Sequence, residues 1–189
     1  MREMVKMIVV LAVLGALSGG LLAATKDWTE PKIEYQQLTF VKGPAIKSIL
    51  KGAGNDPIVD RFKIAYQDKE NSFFVGVFNG QPSAVAFEGV GKGFGGDIGL
   101  MMGVNLADDK IIGVGVTTHS ETPGIGSKAK TDPSFTNQFK GMNMTAIAPV
   151  DAISGATVTS NGVNGGVAAA SNMYQSLKPQ ILEQLKAYK

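Results

Sequence analysis

The sequence contains no cysteine, which removes a disulfide framework, a thiolate-held iron–sulfur cluster and a thioether-linked haem in one step. Its single histidine, His119, excludes a multi-histidine metal site and a bis-histidine haem. The formal net charge is only +2, too mild for a nucleic-acid partner. A chain with this inventory needs an organic cofactor if it is to move electrons. The usual nucleotide fingerprints are missing as well. Gly91-Lys92-Gly93-Phe94-Gly95-Gly96 has the G-x-G-x-x-G spacing, but a dinucleotide site needs a helix directly after it and an acidic residue about 20 positions on. Ile98 to Val104 reads as a strand, and Asp108 and Asp109 come too soon, so NAD binding is rejected there and the glycines are read as a turn or bulge that another backbone or a flat ring can approach. Gly124-Ile125-Gly126-Ser127-Lys128 lacks P-loop spacing. His119, Ser120 and Asp132 do not form a hydrolytic triad by proximity in sequence, because a triad is defined by roles in space.

What the chain does have is apolar: 44% of its 189 residues are hydrophobic and 18% are charged, enough for one globular domain plus a membrane segment. Met7 to Ala24 carries no charge over 18 residues. As a helix such a run spans about 27 Å, close to the hydrocarbon thickness of a bilayer. Arg2 and Lys6 precede it, which places the N-terminus in the cytoplasm and the remainder outside. A cleaved signal peptide is the competing reading, since Ala16-Leu17-Ser18 offers small residues at cleavage spacing and Gly15, Gly19 and Gly20 weaken a helix. We read an uncleaved anchor, with a cytoplasmic N-terminus at 1–6, a transmembrane helix at 7–24 and an extracytoplasmic domain at 25–189. Thr25 to Pro31 is the polar exit.

Beyond a short helical stretch within Gln36 to Leu50, interrupted by Gly43 and Pro44, the pattern turns to strands. Arg61 to Tyr66 alternates polar and apolar, and Phe73 to Phe78 is rich in aromatic and β-branched residues. Asn79-Gly80 is a hairpin signal leading into Ala84 to Phe87. Ile98 to Val104 and Ile111 to Thr118 continue the series around Ala107-Asp108-Asp109-Lys110. Asp132-Pro133-Ser134 starts a short helix with Phe135 and Phe139 on one face. After Ser160 the apolar spacing is helical, with Gly162, Gly165 and Gly166 calling for close packing or a nearby cofactor, and Pro179 is expected to restart the helix. The expected class is α+β: an antiparallel sheet flanked by helices, with one N-terminal transmembrane helix.

The chemistry concentrates in Asp151-Ala152-Ile153-Ser154-Gly155-Ala156-Thr157-Val158-Thr159-Ser160. Hydroxyls and a glycine stand where the long helix begins, and the first turn of a helix offers free N–H groups to an anion. The same composition also describes an ordinary helix cap.

Asp-x-x-Ser-Gly-Ala-Thr, here Asp151 to Thr157, resembles the flavinylation motif of the FMN-binding domain family. A second stretch, His119-Ser120-Glu121-Thr122-Pro123-Gly124-Ile125-Gly126, resembles that family's His-x-Glu-Thr-Pro-Gly-x-Gly loop, as in the G subunits of Rnf-type ion-translocating electron-transport complexes. The related C subunits of the sodium-translocating NADH:quinone oxidoreductase are expected to be longer. The resemblance implies FMN held covalently through a phosphoester to Thr157. It gives Asp151, Ser154, Gly155 and Ala156 to recognition or phosphate contact, and Glu121, Thr122, Gly124 and Gly126 to the flavin's surroundings. It implies no catalytic residue and no metal. The activity implied is electron relay in an ion-translocating ferredoxin:NAD oxidoreductase, as a subunit without a complete catalytic cycle of its own. Other membrane and iron–sulfur subunits, the lipid bilayer and a flavin transferase acting with FAD and magnesium would be its partners. Two readings stand beside this one: a flavinylated electron-transfer domain serving another extracytoplasmic reductase or the related NADH:quinone oxidoreductase, and a cofactor-free module whose motif is only a cap. Thr159 and Ser160 are the rival acceptors to Thr157.

Overall fold

The computed structural model describes residues 2–67 and 69–188. They form two compact units, Met1–Leu38 and Thr39–Lys189. The first is made mostly of one helix, α1 (Arg2–Gln36), which has no buried residue. Its apolar window has a mean hydropathy of 2.4 and is 0% buried, the surface expected of a helix that meets lipid. The helix does not stop at the polar exit after Ala24. It continues through Pro31, and the hydroxyls of Thr25 and Thr29 donate to the carbonyls of Leu21 and Thr25 at 2.8 and 2.7 Å. Trp28 is exposed, and the Lys32 ammonium sits 5.4 Å from its ring centroid.

A π-helical turn (Gln37–Lys42) straddles the boundary between the units and runs into α2 (Gly43–Ile49) of the second, with Pro44 in the first turn of α2. Gly43 and Pro44 therefore open this helix, contrary to the expected interruption, because a first-turn proline forfeits no intrahelical bond. Five strands follow: β1 (Arg61–Tyr66), β2 (Lys69–Phe78), β3 (Gln81–Lys92), β4 (Asp97–Asn105) and β5 (Lys110–Thr118). They pair in sequence order as one antiparallel sheet. The β2–β3 turn is Asn79-Gly80 as expected, with φ of 52° and 77° at the two residues, the twist-matched hairpin geometry.

Alternation along the strands divides the sheet into two apolar faces. Phe73, Val75, Val85, Phe87, Leu100 and Met102 belong to the main core with Val163, Val167 and Tyr174 of α5 (Thr157–Leu185). The neighbouring β4 and β5 positions Gly103, Gly113 and Gly115 meet Ile49 and Ala45 of α2. A run of rings crosses the main core: Tyr174 stacks on Phe87 at 5.7 Å between centroids, Phe87 meets Phe73 at 5.4 Å, and Phe73 stacks on Phe62 at 5.6 Å.

Between β5 and α5 lie the short helices α3 (Lys128–Thr131) and α4 (Pro133–Asn137). The Asp132 side chain caps α4 by accepting from the Ser134 N–H at 2.9 Å, and Phe135 meets Phe139 edge to face. Helix α5 runs unbroken through Pro179, which lies inside it and does not restart it. Leu177, Ile181 and Leu185 on either side are all buried, so packing on the sheet offsets the lost backbone bond.

The glycines of β3 and α5 are where the two backbones touch. A Cβ on Gly91 would fall 2.0 Å from the Gly162 carbonyl oxygen, and one on Gly162 would fall 2.4 Å from that of Lys92. Gly89 and Gly91 sit two apart on one face of β3, and Gly162, Gly166 and Ala170 sit four apart on one face of α5. The fingerprint-like spacing thus serves backbone-to-backbone packing of helix on strand, and the helical glycines take the packing role that their low propensity demands.

Candidate functional site

The first turn of α5 decides the site. Its N-cap residue is Ala156, whose methyl group cannot accept a hydrogen bond, and among the described residues no other side chain caps it. The first intrahelical bond runs from the Ser160 N–H to the Ala156 carbonyl at 2.9 Å. Among the described residues, the N–H groups of Thr157, Val158 and Thr159 find no acceptor in the chain. A 29-residue helix therefore presents three free donors and its positive end to whatever lies in front of it. The hydroxyls expected as caps are engaged otherwise or turned away. Ser160 is buried; its Oγ donates to the Ala156 carbonyl and accepts from the Ile153 N–H, both at 2.9 Å. Ser154 is exposed. Gly155, at φ 78°, turns the chain into the helix in a conformation that a side chain would strain.

A pocket of about 380 Å³ opens there, lined by Phe94, Glu121, Thr122, Ile125, Gly126 and the stretch Gly155 to Thr159. Of the nine site residues expected from sequence, six share this wall: Glu121, Thr122, Gly126, Gly155, Ala156 and Thr157. Asp151, Ser154 and Gly124 do not line it. Asp151 is exposed, and its backbone N–H and carbonyl are held by the Gln138 side chain at 3.0 and 3.3 Å, which ties the motif's start to the end of α4. Gly124 lies at φ 75° in the loop, its N–H donating to Ser127 Oγ at 2.8 Å.

The three candidate acceptor hydroxyls are not equivalent. Thr159 is 2% exposed and donates to Glu121 Oε2, and Ser160 is fully buried. Thr157 is exposed and lines the pocket, so of the three it alone offers a hydroxyl to a reagent from solvent.

Glu121 is 5% exposed. Its Oε1 accepts from the Gly95 N–H at 2.8 Å, and its own N–H donates to His119 Nδ1 at 3.2 Å. Burial pushes its carboxyl up, but the bonds from the Thr159 hydroxyl and from the Gly95 and Phe94 amides, with His119 nearby, outweigh this and hold it below the ordinary value of 4.5. His119 and Asp132 are thus tied to separate partners, the Glu121 amide and the Ser134 amide, and form no catalytic couple.

Sequence reasoning missed three apolar members of the wall, Phe94, Ile125 and Val158, which are exposed by 74%, 47% and 54%. The signal for Phe94 was an aromatic set inside a glycine turn. For the other two there was only their position inside the motifs.

A family model described as the FMN-binding domain matches residues 93–172, from the Phe94 turn through the pocket into α5. The G subunit of the ion-translocating oxidoreductase complex of Methanosarcina acetivorans is 32% identical over 172 residues, covering 86% of this chain and 89% of that one. The chain belongs to this G-subunit family. The counterpart from Cereibacter sphaeroides is 28% identical over 190 residues, covering 93% of this chain and 86% of its own. The G subunit of the proton-translocating ferredoxin:NAD(+) oxidoreductase complex of Clostridium ljungdahlii is 40% identical over 88 residues, 42% of this chain and 46% of that one. Among solved structures, Shewanella oneidensis NqrC is similar with a TM-score of 0.52 at 26% identity, over 72% of each chain.

The pocket of this family member fits a flavin mononucleotide by its chemistry. Free helix amides and the hydroxyl of Thr157 suit a phosphate, the Gly155 backbone leaves room for one, and Phe94, Ile125 and Val158 offer apolar surface to a flat ring.

Proposed function

We propose that this chain is the membrane-anchored flavoprotein subunit of an ion-translocating ferredoxin:NAD oxidoreductase complex, and that it carries FMN as a phosphoester on Thr157. The observation that carries the attachment is the contrast among neighbouring hydroxyls: Thr157 is exposed beside three unpaired helix amides, while Thr159 and Ser160 are buried and bonded. FMN supplies the capacity to take up and release electrons singly or in pairs. The chain's residues bind and orient it. The α5 amides meet the phosphate, Gly155 and Ala156 let it approach, and Phe94, Ile125 and Val158 exclude water from one side of the ring. Thr122 and Gly126 complete the wall, and Asp151, Ser154 and Gly124 serve recognition by the modifying enzyme or the shape of the two loops.

Loading needs a second protein. A flavin transferase using FAD would form a bond from Thr157 Oγ1 to the flavin-side phosphorus and break the pyrophosphate bond; AMP leaves, and the hydroxyl proton passes to solvent. The helix amides that later hold the ester also stabilise charge on that phosphorus. Helix α1 anchors the subunit in the bilayer, with its N-terminus cytoplasmic and residues 25–189 outside, among the other membrane and iron–sulfur subunits of the complex.

The test is the mass of the peptide containing Thr157, from protein purified out of native membranes and fully denatured. An FMN adduct on Thr157 is expected. Thr157→Ala should abolish covalent flavin and leave the thermal unfolding of the apoprotein within about 0.5 kcal/mol, as for an exposed side chain away from the core. Flavin fluorescence persisting on the denatured variant would refute the assignment.

A further inference from the structure

Among the described residues, Glu121 is the one charged side chain that the fold closes over; the other buried polar residues are Thr117, Thr159, Ser160 and Ser171. No ion pair of the described residues includes it. Its two oxygens are instead satisfied by neutral donors from two other segments, the Gly95 N–H of the β3–β4 turn and the Thr159 hydroxyl of α5. The space around it is kept by glycines. A Cβ on Gly93 would lie 2.4 Å from Oε1, and one on Gly126 would lie 2.9 Å from Oε2 and 2.8 Å from Thr159 Oγ1. Three segments of the pocket wall, around Phe94, Glu121 and Thr157, are thus pinned to a single carboxylate. Thr159 is one of its two anchor points and stands two residues from Thr157.

We propose that Glu121 is a positioning residue, fixing Thr157 at the pocket through Thr159, and that its unpaired negative charge in the wall lowers the reduction potential of the flavin carried there. The inference rests on the flavoprotein reading above. The geometry supplies both halves. A hydroxyl displaced by an ångström is a poor nucleophile in an enclosed encounter, and the carboxylate is already filled by the chain's own donors, so its service to the flavin is through space. Electrons arriving on the ring add negative charge there. A fixed anion in a water-poor wall opposes that addition more strongly than it would in solvent. Hydrogen bonds that favour the ionised form keep the charge in place at neutral pH.

Two substitutions separate the effects. Glu121→Gln removes the charge and can keep both bonds, the amide oxygen accepting from Gly95 and the amide nitrogen donating to Thr159. Thr159→Val keeps the charge and removes the bond to α5. Each is made in the full chain and produced with a flavin transferase; covalent flavin is read by intact mass over time, potential by spectroelectrochemical titration, and folding by thermal unfolding of the apoprotein. The flavin on Glu121→Gln should be easier to reduce by a tenfold or greater change in the equilibrium ratio, about 59 mV for a one-electron step. Thr159→Val should load roughly tenfold more slowly or worse, with a smaller potential shift than Glu121→Gln, and Thr159→Ser should restore the rate. A wild-type potential in Glu121→Gln overturns the proposal. So does wild-type loading of Thr159→Val, or slow loading of Thr159→Ser in a folded protein. Wild-type protein that acquires no flavin on Thr157 sinks the flavoprotein reading instead, so the two failures are distinguishable.

Discussion

Thr157 and Thr159 sit two apart on the same first turn, yet one faces solvent and the other a buried carboxylate. The helix rotates by roughly 200° over two residues, enough to separate an exposed hydroxyl from a buried one. The carboxylate at the far end of that contact has an acid signature of its own. Its folded-state affinity for protons is lowered, so the unfolded chain takes up the proton first as pH falls. The stability that Glu121 contributes is therefore complete above its ordinary value of 4.5 and is lost as pH drops through the depressed folded value. Asp109 and Asp132 are lowered too and contribute a loss of the same sign. Glu121→Gln leaves those two intact, so urea unfolding between about pH 6 and pH 3 should show a shallower fall for the variant than for the wild type. Parallel curves would mean that Glu121 titrates as it does in the unfolded chain. The position of Thr157 was legible in the sequence because its motif is local. The hydrogen bonds of Glu121 were not, because its partners lie 26 and 38 residues away and no spacing rule links them.

At the scale of elements, the contact of α5 with β3 makes opposite demands on glycines that sequence alone treats alike. Gly91 has no room for a methyl group, since the obstructing atom is the backbone oxygen of Gly162 and cannot rotate aside. Gly165, a few residues along the same helix, has nothing within 4 Å of its would-be Cβ. Gly91→Ala should lift α5 from the sheet and cost at least the ~1–3 kcal/mol typical of overpacking. Gly165→Ala should gain up to about 1 kcal/mol from helix propensity. Chemical denaturation of the two apoproteins checks both signs, and equal effects would mean that the helix floats above the strand. Strand existence was readable from alternation and turn chemistry: β1 falls on the expected residues, and the others extend the expected cores by a few positions at their ends. The glycine spacing was readable in part: the strand after Gly96 and the early Asp108 and Asp109 argued against a dinucleotide loop and for the approach of another backbone, while the identity of that backbone, α5, lay beyond a local window. Pro179 was not readable in this way. A proline starts or kinks a helix according to how much buried surface lies beyond it, which a local window does not contain.

For the whole molecule, sidedness is what joins the anchor to the chemistry. Helix α1 has 35 residues, about 52 Å of helix against roughly 30 Å of hydrocarbon, so its apolar run can span while the turns after Ala24 stand clear of the lipid core. Trp28 and Tyr35, both exposed, suit the interface beyond it. In the proposed topology Arg2 and Lys6 on the short N-terminal flank would hold that end in the cytoplasm, and the proposed covalent tether would then be useful because a domain outside the cytoplasm has little free FMN from which to recover a lost cofactor. The absence of cysteine makes this testable with little disturbance, since any thiol reactivity must come from one that is introduced. Lys92→Cys places a thiol where the native side chain is 90% exposed, and Arg2→Cys places one on the N-terminal flank. In intact cells, or in spheroplasts where an outer membrane is present, a membrane-impermeant maleimide should label Lys92→Cys and leave Arg2→Cys unlabelled until the membrane is opened. Arg2→Cys removes one of the two orienting charges, so an appended N-terminal cysteine ahead of an intact Arg2 serves as its control. The reverse pattern in that control would put the pocket on the cytoplasmic side, where a transferase working outside could not reach Thr157 and the proposed route of loading would fail with the topology.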